Sequence, residues 1–145
     1  MYVATDVGNE GIYYSTSPGT WVKITPGLNV HSYWGGGTAP TAAAGANSGT
    51  GPPAPVVVAG SNDERGTITF GTGTGPAAGS QVVVTFAAAY GAAPFVFLTP
   101  TNGQTYNIGM FVLAAVAASF TIGAAATPAA SQVNTVYSVN YVVVG

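Results

Sequence analysis

The chain has 145 residues, 48% of them hydrophobic, and only six charged side chains, two basic and four acidic, giving a net charge of −2. Two cations cannot neutralise a row of phosphates or hold a polybasic contact with lipid, so neither a nucleic acid nor a membrane is expected as a partner. The absence of cysteine excludes disulfide staples, zinc–thiolate sites and thiol catalysis.

Residues 1–25 read as a small β-ribbon: YVAT, then GIYYST, a Ser17-Pro18-Gly19 turn, and TWVKIT. Aromatic and β-branched residues on either side of Pro-Gly are a hairpin signal. The opening segment carries Asp6 and Glu10 in place of a basic region, and no apolar run follows, so no secretory signal is expected. A ribbon of this size is marginal on its own. It is expected to be the attachment element, with Tyr13, Tyr14 and Trp21 as its contacts.

Residues 26–55 are rich in Gly, Ala, Pro and Thr and carry no charge, which reads as an extended arm or linker. Pro52, Pro53 and Pro55 stiffen its end. Inside it, HSYWGGG places His31, Tyr33 and Trp34 together, an aromatic island that a free linker has no reason to carry. His31, Tyr33 and Trp34 are therefore further candidate contacts to a shell or partner.

Residues 56–145 hold seven strand-like runs: VVVA (56–59), GTITF (66–70), QVVVTF (81–86), FVFLT (95–99), NIGMFVL (107–113), SFTI (119–122) and NTVYSVNYVVV (134–144). Gly, Pro, Asn and Ser clusters separate them, a spacing that predicts an antiparallel β-sandwich or jelly-roll-like module able to fold without the first 55 residues. In the last run Tyr137, Val139, Tyr141 and Val143 alternate with Ser138, Asn140 and Val142. Asn102-Gly103 predicts a tight hairpin turn. The apolar run over 108–122 is too short for a spanning helix and is expected to be a buried strand pair.

No charged side chain and no histidine occurs in the 80 residues from 66 to 145. A soluble surface is typically about a quarter to a third Lys, Arg, Glu and Asp, so much of this one is expected to be buried against other copies. The only dense charge cluster, Asp63-Glu64-Arg65, reads as a solvated turn or as a latch to a sister chain or other partner. The run GTGTGP at 71–76 resembles a phosphate cradle, but a strand and no downstream acid follow it, so an inter-strand turn is expected. His31 is the one candidate base, no G-x-S-x-G elbow is present, and no enzyme activity, metal or cofactor is expected. Tyr33, Trp34, Tyr90 and Tyr106 could stack on a sugar, though packing is the preferred reading for each.

The stretch GTITFGTGTGPAAGSQVVVTFAAAYGAAPFVFLTP, the Asn-Gly loop, SFTIGAAATPAA and the closing VYSVNYVVVG resemble a module of tailed-bacteriophage virion proteins, those of head fibres, head decorations and minor tail components. The resemblance runs from Gly66 onward, and a weaker one covers the opening ribbon. It implies a β-sandwich surface module, a homotrimer, and no catalytic residues. The expected role is a structural virion protein, a capsid decoration or short head fibre on the capsid exterior, with the major capsid protein or another virion protein as partner. The alternative is a tail-fibre or tail-tip module recognising a host-surface glycan or protein.

Overall fold

A computed structural model describes residues 37–145 and, among the first 36, the backbone of three strands. These are β1 (Val3–Thr5), β2 (Ile12–Ser17) and β3 (Thr20–Ile24), an antiparallel sheet in the order β1-β2-β3. Tyr13 pairs with Lys23, Tyr14 with Val22, and Ser15 with Trp21. The side chains of Tyr13, Tyr14 and Trp21, and His31, Tyr33 and Trp34 altogether, lie outside the described residues.

The second unit, Gly37–Gly145, is a sandwich of two four-stranded antiparallel sheets. In chain order it runs β4 (Thr41–Ala44), β5 (Val56–Val57), β6 (Arg65–Phe70), β7 (Gly79–Thr85), β8 (Phe95–Pro100), the short helix α1 (Gly103–Asn107), β9 (Met110–Val116), β10 (Ser119–Ala124) and β11 (Tyr137–Val144). One sheet has the order β4-β7-β10-β9 and the other β5-β6-β11-β8. Alternation in β11 buries Tyr137, Val139, Tyr141 and Val143 against Ile68, Phe70, Val82, Val84, Phe120 and Ile122. Phe120 of one sheet meets Tyr141 of the other at 5.5 Å between ring centres, and Phe70 stacks on Tyr137 at 5.2 Å. Offset aromatic pairs at these distances add to the area they bury.

Three features differ from the sequence-based expectation, and a fourth was not foreseen. Of the arm expected over 26–55, the described part from residue 37 belongs to the sandwich, because β4 is an edge strand whose Thr41–Ala44 pair with Thr85–Val82 of β7. Thr50 then bridges Thr74, which weaves the loop before Pro52 into the sandwich. The TAAA sequence can do this because Ala42 needs only a small niche against the core. A module cut at residue 56 would accordingly lose its β4 edge.

The Asn102-Gly103 pair is a helix start and not a hairpin. Asn102 Oδ1 accepts from Thr105 N at 2.9 Å and from Thr105 Oγ1 at 2.8 Å, the N-cap role of a short polar side chain. Within 108–122, β9 and β10 do pair, but only β10 is buried; β9 is an edge with Phe111, Leu113 and Val116 exposed. Gln81, at the start of the QVVVTF run, is fully buried beside Val82. A bulge produces this: Ile122 faces Val82 while the next residue, Gly123, faces Ser80. The Gln81 amide then donates to the carbonyls of Ala77 (2.7 Å) and Gly79 (3.1 Å).

Candidate functional site

The acidic–basic cluster sits where the loop after β5 enters β6. Asn62, nearly buried, accepts from the backbone N–H groups of Glu64 and Arg65 through Oδ1, both at 2.9 Å, and so fixes the turn. The Asp63 carboxylate reaches a different loop: Oδ1 accepts from Ala87 N at 2.8 Å and Oδ2 from Ala88 N at 2.9 Å. Tyr90 donates its hydroxyl to the Asp63 carbonyl at 3.2 Å, and Tyr141 donates to the Asn62 carbonyl at 2.6 Å. Val143 N donates to the Glu64 carbonyl at 2.7 Å, joining the same turn to the end of β11. Asp63 is thus a latch, and the loop it latches belongs to its own chain. Glu64 and Arg65 are exposed.

The two tyrosines feel this setting. Burial pushes the Tyr141 hydroxyl up to about 12, the Asp63 charge adds to the rise, and the Ser61 hydroxyl acts against it. Burial also raises Tyr90, with Asp63 and Glu64 contributing in the same direction. Gly66 is required by the close approach here, since a Cβ at that position would lie 2.6 Å from the Tyr141 oxygen and collide with Ser61. Tyr90 packs edge-on against Phe86 at 4.9 Å, so of the sugar-stacking candidates it is committed to packing. Tyr106, on α1, is 75% exposed.

The glycine-rich run at 71–76 is filled by the chain itself. Gly73 N donates to the Ser48 carbonyl at 2.7 Å, and Thr74 and Thr50 exchange a pair of backbone bonds at 2.9 Å. A Cβ on Gly73 would strike the Thr50 carbonyl, which is why glycine stands there. With those N–H groups engaged, the run acts as an inter-strand turn. Thr72, fully buried, donates to the Ala129 carbonyl at 2.6 Å and accepts from Ser131 N at 3.0 Å, tying the run to the loop before β11.

The outer face of the β5-β6-β11-β8 sheet is divided. At one end Thr67 donates to Asn140 Oδ1 at 2.7 Å and Thr99 pairs with Asn140 across the ladder. Beside them an open depression of about 320 Å3 lies between Val58, Ser61, Arg65, Thr67 and Asn140. At the other end β8 inverts the usual order: Val96 and Leu98 pack on the core, while Phe95 and Phe97 point outward at 75% and 61% exposure. Across the ladder Val142 stands opposite Phe97 and Val144 opposite Phe95, both also exposed. Sequence reading took FVFLT as an apolar strand but could not tell which of its alternating sets faces the core.

Among the described residues no group of three or more His, Cys, Asp or Glu side chains could hold a metal ion, and no helix is long and apolar enough to cross a membrane. Set against protein-family models, curated proteins and solved structures, the chain matches none of them.

Proposed function

We propose that the chain is a non-enzymatic structural protein of a tailed-phage virion, a head decoration or short head-fibre subunit carried as a homotrimer on the capsid exterior. The observation that supports this reading best is the use the sandwich makes of its side chains. Its acidic cluster serves one of its own loops through Asp63, the rest of its length is uncharged, and three phenylalanines, Phe95, Phe97 and Phe111, are left outside the core. Acid–base chemistry needs titratable groups aimed at a substrate-sized cleft. A subunit that is mostly covered by neighbours needs uncharged and apolar faces, which this one has. The resemblance of residues 66–145 to virion modules points to the same class, and it leaves the three-stranded ribbon of the first unit as the attachment element. Repeated weak contacts to a repeating shell give firm attachment through multivalency.

A second reading, a tail-fibre or tail-tip module for a host-surface glycan or protein, is favoured by Tyr106, whose ring stands open on α1. Co-sedimentation of the full chain with empty capsids and, in parallel, with host cell walls separates the two. Capsid binding with no wall binding is the expected result. Wall binding that Tyr106→Ala abolishes, without capsid binding, would replace the first reading by the second.

A further inference from the structure

We infer that the apolar end of the outer sheet face, Phe95 and Phe97 on β8 with Val142 and Val144 on β11, is where copies of this chain pack against one another. The inference rests on the homotrimeric reading above and gives it a location. Phe95, Phe97, Val142 and Val144 are exposed at 75%, 61%, 40% and 47%, and they are direct or diagonal neighbours on one ladder. Beside them an open apolar pocket of about 500 Å3 is walled by Tyr90, Gly91, Ala92, Ala93, Phe95 and Val144. The patch is continuous with that pocket through Phe95 and Val144.

Size is the first argument for a second copy. A phenylalanine side chain carries about 200 Å2, so the exposed fractions of these four residues and the pocket rim amount to about 500 Å2 of apolar area. That matches the largest patch found on typical monomers, about 300–600 Å2, and such patches are often functional. Three such patches gathered about a three-fold axis bury about 1,500 Å2 in all, within the range of specific assemblies.

Charge is the second argument. The four patch residues are uncharged, and charge comes only to the patch's edge, from Arg65 opposite Val142 and from Glu64 beside Val143. The face therefore offers little to select a charged partner, and a sister copy meets it over mostly uncharged surface. The competing apolar site on the molecule is weaker. On β9, Phe111 and Leu113 fold over Gly123, where a Cβ would lie 3.0 Å from the Phe111 ring and 3.1 Å from Leu113. They are exposed at 40% and 46%, well below Phe95 and Phe97, because the glycine gives their side chains a seat within the chain.

Sedimentation velocity on the full chain tests this, with Phe97→Asp and the milder Phe95→Ser on the face and Phe111→Asp as the control on β9. The wild type is expected to self-associate at micromolar concentration. The two face variants are expected to weaken association by about 30-fold or more, as loss of a central aromatic anchor does. Their circular dichroism should stay that of the wild type, since neither side chain is in the core, and Phe111→Asp should associate normally. A wild type that stays monomeric, or face variants that assemble as well as the wild type while Phe111→Asp falls apart, overturns the inference. Capsid co-sedimentation run on the same samples keeps the two proposals apart. A monomeric wild type that binds capsids sinks this face and leaves the virion reading standing. A wild type that self-associates through Phe97 and binds no capsid supports the face and sinks the virion reading.

Discussion

Two loop regions of the sandwich solve one problem with different chemistry. At residues 61–65 the backbone is held by a carboxylate and two tyrosine hydroxyls reaching between separate loops and strands. At residues 71–76 it is held by backbone ladders, one buried threonine and glycines that let two chain segments touch. Both arrangements satisfy buried or half-buried polar groups that would otherwise cost about 1–3 kcal/mol each, the tyrosine hydroxyls in the first and Thr72 in the second, while the Asp63 bonds lie exposed. The difference lies in what can disturb them: titration reaches the first through its tyrosines, whereas only a change of shape or the loss of a hydroxyl reaches the second.

The largest effect should come from shape. Gly73→Ala pushes a methyl group onto the Thr50 carbonyl and is expected to destabilise the fold by about 3 kcal/mol in chemical denaturation. Gly91→Ala, where no atom lies within 4 Å of the added carbon, should change stability by less than about 1 kcal/mol. If both substitutions cost the same, close packing is not what holds the glycine-rich run.

Next comes removal of the two side chains that tie loops together. Asp63→Ala leaves Ala87 N and Ala88 N without their acceptor, and Thr72→Val deletes a fully buried hydroxyl at nearly constant volume. Thr72→Val should cost about 2 kcal/mol by the same denaturation measurement, and Asp63→Ala, whose bonds are exposed so that water can replace them, about 1 kcal/mol. Hydrogen exchange should separate them. Asp63→Ala should speed exchange at Ala87 and Ala88 and leave Ser131 protected, and Thr72→Val should do the reverse. Simultaneous loss at both places would mean that the two regions are one cooperative unit.

The smallest effect is titration. Tyr141 titrates near its ordinary value of 10.0 when unfolded and at about 12 when folded, so the folded chain holds the proton more tightly. Stability from this group is complete below pH 10 and declines as pH rises through 12, because the unfolded chain releases the proton first. Tyr141→Phe should lower stability at neutral pH by about 1 kcal/mol, through loss of the bond to the Asn62 carbonyl, and should flatten the alkaline limb. An unchanged slope between pH 10 and 12 in that variant would assign the alkaline loss elsewhere, with Tyr90 the next residue to replace.

How much of this was readable in the sequence depended on whether the deciding neighbour was near in the chain. The alternation of Tyr137, Val139, Tyr141 and Val143 carried its own answer, and the all-β sandwich followed from it and from the runs at β6, β7 and β10. β4 left no such mark, since alanines report neither face nor period and its partner, β7, lies about 40 residues on. Asn102 was ambiguous because the same short amide favours a turn or caps a helix; Thr105, and the bond from Asn102 to the Val136 carbonyl, decided for the cap. The Asp63 cluster stood out by charge alone, but its acceptor role depends on Ala87 and Ala88, whose alanine side chains give no hint of it. On β8 the sequence offers apolar residues on both faces, and only the sheet's position shows that the phenylalanines are the outward set.

Arg65 has one more consequence. It opens β6 opposite Val142 of β11, and in the unit from Gly37 to Gly145 the bond after it is the single peptide bond that trypsin recognises. Paired into a ladder, that bond is a poor substrate until β6 comes away from β11. Cleavage after Arg65, told apart by fragment mass from cleavage at the chain's other trypsin site, Lys23, therefore reports strand separation, and its rate across temperature or denaturant gives a label-free clock for opening of the sandwich.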